Sequence, residues 1–568
     1  MRATNMKKAI SKTRLLLAPM VAMVLLLAVA AHAAAPGITG TGAAGTFNLT
    51  AQQAYLNQPD GQAIYSWGYG CTTAPAASAF RPTLSATSAP FCNTMQVPGP
   101  TLIVTENVAF SVTLTNNLPT AAGNTSILFP GIKLNSTASG TQGLLTQEAA
   151  PGATVTYNLV ATSPGTRAYY SGTQGDLQVE MGLYGAIIVL PATTAGCNAV
   201  PNTVAHYVNT AAGNTAEADF RLAAAAYDSV SGINNTCYDR EYLFQFSEMD
   251  PNIHEQALVQ VNRANCTAPG VTAGTCRLEV PTEPYHPAYF MINGRSMPDD
   301  MDPNYAREYP HQPYNGNPHM HPGEQVLLRI IGQGRWQHPF HEHGNHVRIL
   351  GRDGNLILAS TAAAETNLAG PLLFTTTTTP GLAMDGIFYW TGKGLNWDAY
   401  AHNPSSPDPL AKLTCTPDAN GYNALPAART ALNYYEWCQD HNKPLQVNPF
   451  GDVASNGPMT LPDANILTNG AWYGGSPYLG PNATTRATGC LGTFNSVTNP
   501  QGNGPNCGIT GSTPPSGTIA NSPSGEAGFA FMWHSHNERE ITTNNIFPGG
   551  MLMMMLVDSR EFQIDESN

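Results

Sequence analysis

The stretch HPFHEHGNH, His338–His346, contains four histidines, and two of them, His341 and His343, are two residues apart. On a β-strand, side chains at positions i and i+2 point to the same face and lie about 6–7 Å apart. His341 and His343 can therefore present two imidazoles side by side. A single His-x-His pair is more often a polar strand face than a metal site, so this stretch alone does not predict one.

A second pair occurs near the end of the chain, in the stretch FMWHSHNERE, Phe531–Glu540, where His534 and His536 are again two residues apart. Each pair belongs to a strand-like region of the same predicted domain. Neutral imidazole is a good ligand for copper, zinc, iron and nickel. The two pairs together therefore predict a metal site built on β-strands.

Short β-rich runs separated by proline and glycine turns fill much of the remaining chain. They form an early set (TLIV, AFSVTLTNN, TVTYNLV, GAIIVL) and a later set (EYLFQFSEMD, AYFMING, QVLLRIIGQG, HVRILGRDG, GIFYW, GFAFMWH, MLMMMLV). Charged residues make up only 11% of the chain, against about 25% in an average soluble protein. The pattern predicts an all-β protein with two β-sandwich domains. The formal net charge of -13 argues against a nucleic-acid or anionic-membrane partner, which would require a basic surface.

The first 35 residues have the pattern of a secretory signal peptide. Lys7, Lys8 and Arg14 precede the apolar run LLLAPMVAMVLLLAVAA, and Ala31–Ala33 supplies a small-x-small cleavage site. No later segment has the roughly eighteen consecutive apolar residues of a membrane-spanning helix. We expect the protein to be exported to the periplasm, the cell surface or the extracellular space, without a membrane span.

The predicted organisation is a signal peptide at 1–35, an N-terminal domain at 36–196 and a C-terminal domain at 197–568. From about 403 to 525 the strand pattern thins and Asn, Gly, Pro, Ser and Thr dominate, which predicts a long insertion in the last domain.

Ten cysteines in an exported chain are most simply interpreted as disulfides. They fall into five local pairs: Cys71/Cys92, Cys197/Cys237, Cys266/Cys276, Cys415/Cys438 and Cys490/Cys507. None lies near the histidine pairs, so thiolate ligation of a metal is not the favoured interpretation.

In its ordered motifs the chain resembles the multicopper oxidases, the family that includes laccases. The resemblance implies tandem cupredoxin domains, which are Greek-key β-sandwiches, with copper as the cofactor. The motifs run from about residue 45 to the C-terminus, apart from the insertion. They are VPGPTLIV (Val97–Val104), TNNLP (Thr115–Pro119), TQEAAPGATVTY (Thr146–Tyr157), GLYGAIIV (Gly182–Val189), MINGR (Met291–Arg295), PGEQVLLRII (Pro322–Ile331), HPFHEHGNH, FMWHSHNERE and FPGGM (Phe547–Met551).

The resemblance also implies a blue type 1 copper site, and this chain departs from it. In the family, a His-Cys-His motif and a further histidine supply two of the ligands, together with the first histidine of His-Pro-x-His-x-His. Here His338 matches that first histidine, but Ser535 stands in place of the cysteine and Glu540 in place of the last histidine. Because blue copper depends on the copper–thiolate bond, we expect no such site.

The oxygen-reducing cluster that the resemblance implies is also incomplete. The family holds three coppers with four His-x-His pairs, two from each of two domains. The last-domain pairs survive, but the first-domain pairs are replaced by LFPG at Leu128–Gly131 and YSG at Tyr170–Gly172. Half of the histidine ligands are therefore absent.

Four imidazoles from one domain suffice for one copper, which Tyr169 or Tyr170 could approach from the first domain. A second metal site, with oxygen and nitrogen ligands, could form from Glu342 and Ser535 beside His338 and Glu540. The alternative is a buried polar network in which Glu540 hydrogen-bonds Ser535 and His338. His319 and His321, in NPHMHPGE, are weaker candidates for accessory ligands. The predicted metal ligands are His338, His341, His343, His534, His536 and Glu540.

Three functional hypotheses follow. The first is an exported copper-binding protein of multicopper-oxidase fold that lacks four-electron oxygen reduction. The second is a copper-dependent oxidoreductase with a reduced, non-blue metal set, which would take electrons from a small-molecule or metal-ion reductant. The third is a scaffold whose histidines bind nothing. The sequence does not identify a substrate.

Overall fold

A computed structural model describes residues 35–42, 45–81, 91–194, 197, 221–227, 236–263, 277–361, 367–393, 415–423, 436–438, 476–479, 527–558 and 564. The predicted signal peptide lies outside these residues except for Ala35, and most of the predicted insertion also lies outside them. The cysteine pairs Cys266/Cys276 and Cys490/Cys507 fall outside as well. Among the described residues, no helix is long and apolar enough to cross a membrane.

The prediction of an all-β protein built from β-sandwiches is confirmed. The first sandwich contains β1 (Gly37–Thr39), β2 (Thr46–Asn57), β3 (Ala63–Cys71), β4 (Phe80–Arg81), β5 (Gly99–Thr105), β6 (Ala109–Asn116), β7 (Lys133–Ser139), β8 (Thr141–Gln142), β9 (Gln147–Glu148), β10 (Thr154–Val160), β11 (Gly165–Tyr170) and β12 (Tyr184–Leu190). The second contains β13 (Arg240–Met249), β14 (Tyr289–Ile292), β15 (His319–Met320), β16 (Gln325–Gly332), β17 (His338–Glu342), β18 (Val347–Arg352), β19 (Asn355–Leu356), β20 (Leu372–Leu373), β21 (Thr375–Thr378), β22 (Ala383–Tyr389), β23 (Ser476–Leu479), β24 (Ala527–Ser535) and β25 (Leu552–Asp558).

Helices are short and few in the described residues. The α-helices are α1 (Gly175–Gln178) and α2 (Pro251–Val261), and the 3-10 helices are Ala77–Ala79, Thr120–Ala122, Asp299–Met301 and Glu538–Ile541. The longer helix α2 begins at Pro251, directly after Asp250, whose side chain accepts a hydrogen bond from the Asn252 backbone. An acidic cap followed by proline at the first helical position is a typical helix start. Its buried residues Ile253 and Ala257 pack into the core of the first sandwich.

Each sandwich is built on two mixed sheets, and in the first, β8 and β9 form a separate two-stranded sheet. In the first, the strand orders are β11-β12-β5-β1-β4 and β3-β2-β6-β10-β7. In the second, the orders are β14-β13-β16-β22-β18-β19, with β20 beside β18, and β15-β25-β24-β17-β21, with β23 beside β24. Strands distant in sequence become neighbours, as in the parallel pairs β2/β6 and β13/β16. This non-local pairing is expected for Greek-key sandwiches.

The burial pattern explains why these segments form strands. In β6, AFSVTLTN, buried and less buried residues alternate, as in a strand with one face on the core. In β13, REYLFQFSEM, every residue is buried. Such a strand is covered on both faces, which means that its charged residues need partners inside the protein.

The two sandwiches are joined by a buried polar contact. Asp385 on β22 accepts hydrogen bonds from the Thr166 hydroxyl at 2.6 Å and the Thr166 backbone N–H at 2.9 Å on β11. Tyr227 donates to the same carboxylate at 2.8 Å. Arg329 lies between Asp385, at 3.4 Å, and Glu241, at 2.8 Å. The contact fixes the edge of the first sandwich against the second.

Three of the predicted disulfides lie in the described residues and are present: Cys71–Cys92, Cys197–Cys237 and Cys415–Cys438. The last one lies in the predicted insertion. The domain boundaries themselves stay a prediction.

Candidate metal centre

The two histidine pairs are brought together by the pairing of β17 with β24. The strands are antiparallel, and His341 lies directly opposite His534. The neighbouring residues Phe340 and Trp533 are fully buried and pack edge to face, 6.1 Å apart. Because successive side chains alternate between faces, burying these aromatic rings in the core directs His341 and His534 to the other face.

The four imidazoles form one compact cluster, called here the histidine cluster: His341, His343, His534 and His536. The ring centroids of His341 lie 4.9 Å from His343, 5.6 Å from His534 and 5.1 Å from His536. His534 lies 5.2 Å from His343 and 5.7 Å from His536. The sequence prediction that these residues share one site agrees with this placement.

Backbone contacts hold the two residues that lie beyond the strand ends. The Trp533 indole N–H donates to the His343 carbonyl at 2.8 Å. The backbone N–H of His536 donates to the Pro339 carbonyl at 2.8 Å, which continues the pairing past the end of β24. Core packing of Trp533 therefore also positions His343.

The ring orientations leave Nε2 of His534 facing Nε2 of His343. Nδ1 of His534 donates to the Ser535 carbonyl at 2.7 Å, and Nδ1 of His341 bonds the Thr375 hydroxyl at 2.9 Å. Metal-binding histidines in proteins are usually held in this way through the ring nitrogen that does not bind the metal. In neutral His534 the lone pair must then be on Nε2.

Only two of the imidazole nitrogens in the histidine cluster already have the spacing of two ligands of one metal ion. Nε2 of His343 and Nε2 of His534 are 3.2 Å apart. Metal–imidazole bonds are about 2.0 Å long, so two ligands of one ion lie about 2.9–3.4 Å apart. Within the described residues, however, no three His, Cys, Asp or Glu side chains already surround a point suitable for an ion. A third ligand would therefore require a side-chain rearrangement within the histidine cluster.

The electrostatics of the cluster favour uncharged rings. Burial and the neighbouring rings of His534 and His536 lower the pKa of His341 to about 4. Burial also lowers the pKa of His534. Neutral imidazole is the form that binds a metal. Solvent exposure differs within the cluster: His341 is buried, whereas the side chain of His536 is 56% exposed.

His338, Ser535 and Glu540, the positions at which the resemblance implies type 1 copper ligands, form a buried hydrogen-bond network. His338 is fully buried, with Nδ1 2.9 Å from Oε2 of Glu540 and Nε2 2.9 Å from Oε2 of Glu248. The Ser535 hydroxyl donates to the same Glu540 oxygen at 2.5 Å. Burial lowers the pKa of His338, but its hydrogen bonds to Glu248 and Glu540 outweigh burial and raise this pKa to about 9. The two glutamates therefore favour the protonated form of His338.

The geometry corresponds to the alternative in which Glu540 hydrogen-bonds Ser535 and His338. Both His338 nitrogens are used, and a metal role for His338 and Glu540 stays a prediction. Glu342 is not part of this network, because it lies four residues along β17 from His338, about 13 Å away. It accepts a hydrogen bond from Thr376 at 2.5 Å, and burial raises its pKa to about 8.

Glu248 was not predicted from the sequence. It accepts the backbone N–H groups of Arg335 and Trp336 at 2.6 and 2.8 Å, which aims its other oxygen at His338. The sequence feature that could have indicated Glu248 is its charge within the largely apolar strand EYLFQFSEMD. A carboxylate buried in a strand needs a partner, and an unmatched histidine elsewhere is a candidate.

In the first sandwich, the positions that replace the family's histidines are neighbours. Leu128 and Tyr170 exchange backbone hydrogen bonds of 2.7 and 3.3 Å. Gly172 packs against Leu128, since a Cβ there would lie 2.7 Å from Leu128 Cγ. Tyr169 does not reach a metal site, because it is fully buried and its hydroxyl donates to the Pro100 carbonyl at 2.7 Å. Of the two tyrosines predicted as candidates, Tyr169 faces the core, whereas Tyr170 is partly exposed, and an approach of Tyr170 to a metal stays a prediction.

Comparison with known families agrees with the resemblance. Residues 80–194 match one family model described as multicopper oxidase, and residues 281–384 match a second model with the same description. The first match lies in the first sandwich, and the second includes β14–β21 and the first histidine pair. Together they cover less than half of the chain, and they confirm the resemblance to multicopper oxidases. No curated protein compared with the sequence matches it.

Solved structures of a copper oxidase and of a copper nitrite reductase are also similar. A blue copper oxidase from Nitrosomonas europaea is 19% identical, with 64% of this chain and 82% of that chain covered and a TM-score of 0.35. A copper nitrite reductase from Nitrosomonas europaea is 16% identical, with 61% of this chain and 84% of that chain covered and a TM-score of 0.35.

Proposed function

We propose that this chain, with its two segments of multicopper oxidase type, is an exported copper-binding protein whose copper is held by the histidine cluster. The observation that supports it most is the convergence of imidazoles from two strands, with Nε2 of His343 and His534 3.2 Å apart. Copper heads the affinity order of divalent metals for nitrogen sites. Export is supported by the leader pattern and by the disulfides, which persist in oxidising compartments.

Four-electron oxygen reduction is not part of this proposal. In the family, that chemistry takes electrons from a type 1 copper and delivers them to a cluster shared by two domains. Here His338 hydrogen-bonds Glu540 and Glu248 instead of facing a thiolate. Leu128, Tyr170 and Gly172 offer no imidazole from the first sandwich. Within the described part of the chain, neither a thiolate beside His338 nor a histidine at these first-sandwich positions is present.

A copper-dependent oxidoreductase with a non-blue site is the second candidate. The observation that favours it is exposure, since the side chain of His536 is 56% exposed. A copper beside His536 could therefore meet a small molecule or a metal ion directly, without a separate electron-entry site. Turnover with a reductant, followed as oxygen consumption, distinguishes this candidate from a protein that only binds copper.

The proposal is tested by replacing His341 and His534 together with alanine. These residues face each other across β17 and β24, so the variant removes one imidazole from each pair. We expect at least a hundredfold loss of copper affinity at this site, measured by metal analysis after dialysis and by the paramagnetic resonance spectrum. The matched control is His286→Ala, because His286 is exposed and outside the cluster. Unchanged stoichiometry and spectrum in the double variant would contradict the proposal.

A further inference from the structure

We propose that His319 and His321, oriented by Asp558, form a second site for a divalent transition-metal ion, separate from the histidine cluster. His319 is the first residue of β15, and His321 follows the strand directly. Being two residues apart, they are expected to share a face of the sheet. Both are buried, with 5% and 1% of their surfaces exposed. Two imidazoles inside a protein require a reason, because a buried ring nitrogen needs a partner.

One residue orients both rings. Nδ1 of His319 lies 2.6 Å from Oδ2 of Asp558, and Nδ1 of His321 lies 3.1 Å from the Asp558 backbone oxygen. A carboxylate or carbonyl on Nδ1 fixes the tautomer and the ring orientation, and it assigns Nε2 to the metal. The same pattern occurs at His534 in the histidine cluster, where Nδ1 bonds the Ser535 carbonyl.

Nε2 of His319 is buried and makes no hydrogen bond within the described part of the chain. A buried polar atom left without a partner destabilises the folded protein. A bound cation would accept the lone pair and remove this destabilisation. A bound cation would therefore explain both the unpartnered Nε2 of His319 and the orientation of its ring by Asp558.

The backbone that carries the two histidines is rigidly held. The Tyr242 hydroxyl accepts from the His319 backbone N–H at 3.0 Å and donates to the His319 carbonyl at 2.7 Å. The His321 backbone N–H donates to Glu324 at 2.8 Å, and Glu324 forms a buried salt bridge with Arg240 at 2.6 Å. Such supporting contacts are what a preorganised ligand pair needs, since loose side chains lose affinity to entropy.

The strand register separates this site from the histidine cluster. His319 pairs with Leu556, Leu556 pairs with Ala530, and His534 lies four residues along β24 from Ala530. At about 3.3 Å per residue and 4.8 Å per strand, the two sites are offset by about 13 Å along the strands and about 10 Å across them. No imidazole can serve both, so their occupancies are independent.

The donor set indicates the class of metal. Imidazole nitrogens suit Cu²⁺, Ni²⁺ and Zn²⁺, with Cu²⁺ bound most tightly. Two imidazoles are fewer than the four protein ligands of a structural zinc site. We therefore expect weaker binding than at the histidine cluster, and exchange with free metal in solution.

The test measures Cu²⁺ binding by calorimetric titration of the full chain carrying His341→Ala and His534→Ala, which disables the histidine cluster. We expect one remaining ion per chain. Adding His319→Ala should abolish it, whereas adding His286→Ala should leave it unchanged. Asp558→Asn, which removes the charge but keeps an oxygen acceptor, should weaken it by about 10–100-fold.

Folding is monitored for every variant by circular dichroism and thermal unfolding, and His319→Gln repeats the test with a polar side chain if His319→Ala does not fold. Absence of any Cu²⁺ binding in the folded double variant would overturn the proposal. Full retention of the ion after loss of His319 would also overturn it, because the metal would then be elsewhere. Both outcomes leave the histidine cluster to its own test.

Discussion

Oε2 of Glu540 lies 2.9 Å from Nδ1 of His338 and 2.5 Å from Oγ of Ser535. These are the three positions at which the family resemblance implies ligands of a type 1 copper. A single carboxylate oxygen is thus in contact with both other side chains. With Glu248 on the opposite nitrogen of His338, the network carries one positive and two negative charges when all three groups are ionised. Where the family resemblance implies a soft metal site, this chain has a buried hydrogen-bond network.

The first prediction concerns pH and His338. The pKa of His338 is about 9 in the folded protein against an ordinary value of 6.5. A group whose pKa is raised by folding contributes its full stabilisation below about pH 6.5. This contribution to the free energy of unfolding is lost as the pH rises through about 9. The difference is on the order of 3 kcal/mol. We expect the midpoint temperature of thermal unfolding to decrease as the pH is raised from 6.5 to 9.5.

The control for this prediction is His338→Gln, a neutral variant that still hydrogen-bonds. It should be less stable than the parent at pH 6.5, since two buried carboxylates lose their shared cation. It should also lose most of the pH dependence between 6.5 and 9.5. A fall with pH as steep as that of the parent would show that other groups cause it.

Much of the fold could be predicted from the sequence, because alternating apolar residues and proline or glycine turns mark strands locally. The same alternation predicted that His341 and His343 share one strand face and that His534 and His536 share another. The pairing of β17 with β24, which places His341 opposite His534, is a long-range contact that alternation does not predict. Glu248 could not be found in this way, because its contact with His338 depends on β13 lying beside β16, a long-range pairing. Which of Tyr169 and Tyr170 faces the core could not be predicted for a similar reason. Local pattern shows that side chains alternate, and only packing shows which face is inside.

The second prediction concerns colour. Copper-loaded protein should lack the intense visible band of a copper–thiolate bond. Ser535 offers no thiolate, and the six cysteines in the described residues are paired in disulfides. The absorption spectrum of the copper-loaded protein checks this directly. A strong blue band would mean that a cysteine outside the described residues binds copper.

The third prediction concerns the contact between the sandwiches. Asp385→Ala removes the acceptor of Thr166 and Tyr227 and leaves Arg329 with less compensation. Breaking a buried, hydrogen-bonded charge pair costs about 3–5 kcal/mol. We expect a clear fall in the thermal midpoint, measured by calorimetry.

Glu255→Ala is the matched control for this third prediction, because Glu255 is exposed on α2. It should change stability by less than about 0.5 kcal/mol. If Asp385→Ala were equally mild, the contact would not hold the sandwiches together.

The fourth prediction tests whether one site or two have lost the family's chemistry. Ser535→Cys with Glu540→His supplies a thiolate and a second imidazole beside His338, whose Nδ1 already faces this position at 2.9 Å. Glu248 still holds Nε2 of His338, so the ring keeps its orientation. We expect a blue absorption band after copper loading.

Sustained oxygen reduction should not return with the colour. The first sandwich still presents Leu128 and Gly172 where imidazoles would be required, and the second supplies only the histidine cluster. Restoring the first-domain histidines has its own constraint. A Cβ at Gly172 would lie 2.7 Å from Leu128 Cγ, so Gly172→His requires the side chain at position 128 to shift. Oxygen consumption with a phenolic donor is the measurement. Continuous turnover by the Ser535→Cys, Glu540→His variant alone would show that four imidazoles from one sandwich suffice, and it would refute the argument that the first sandwich must contribute.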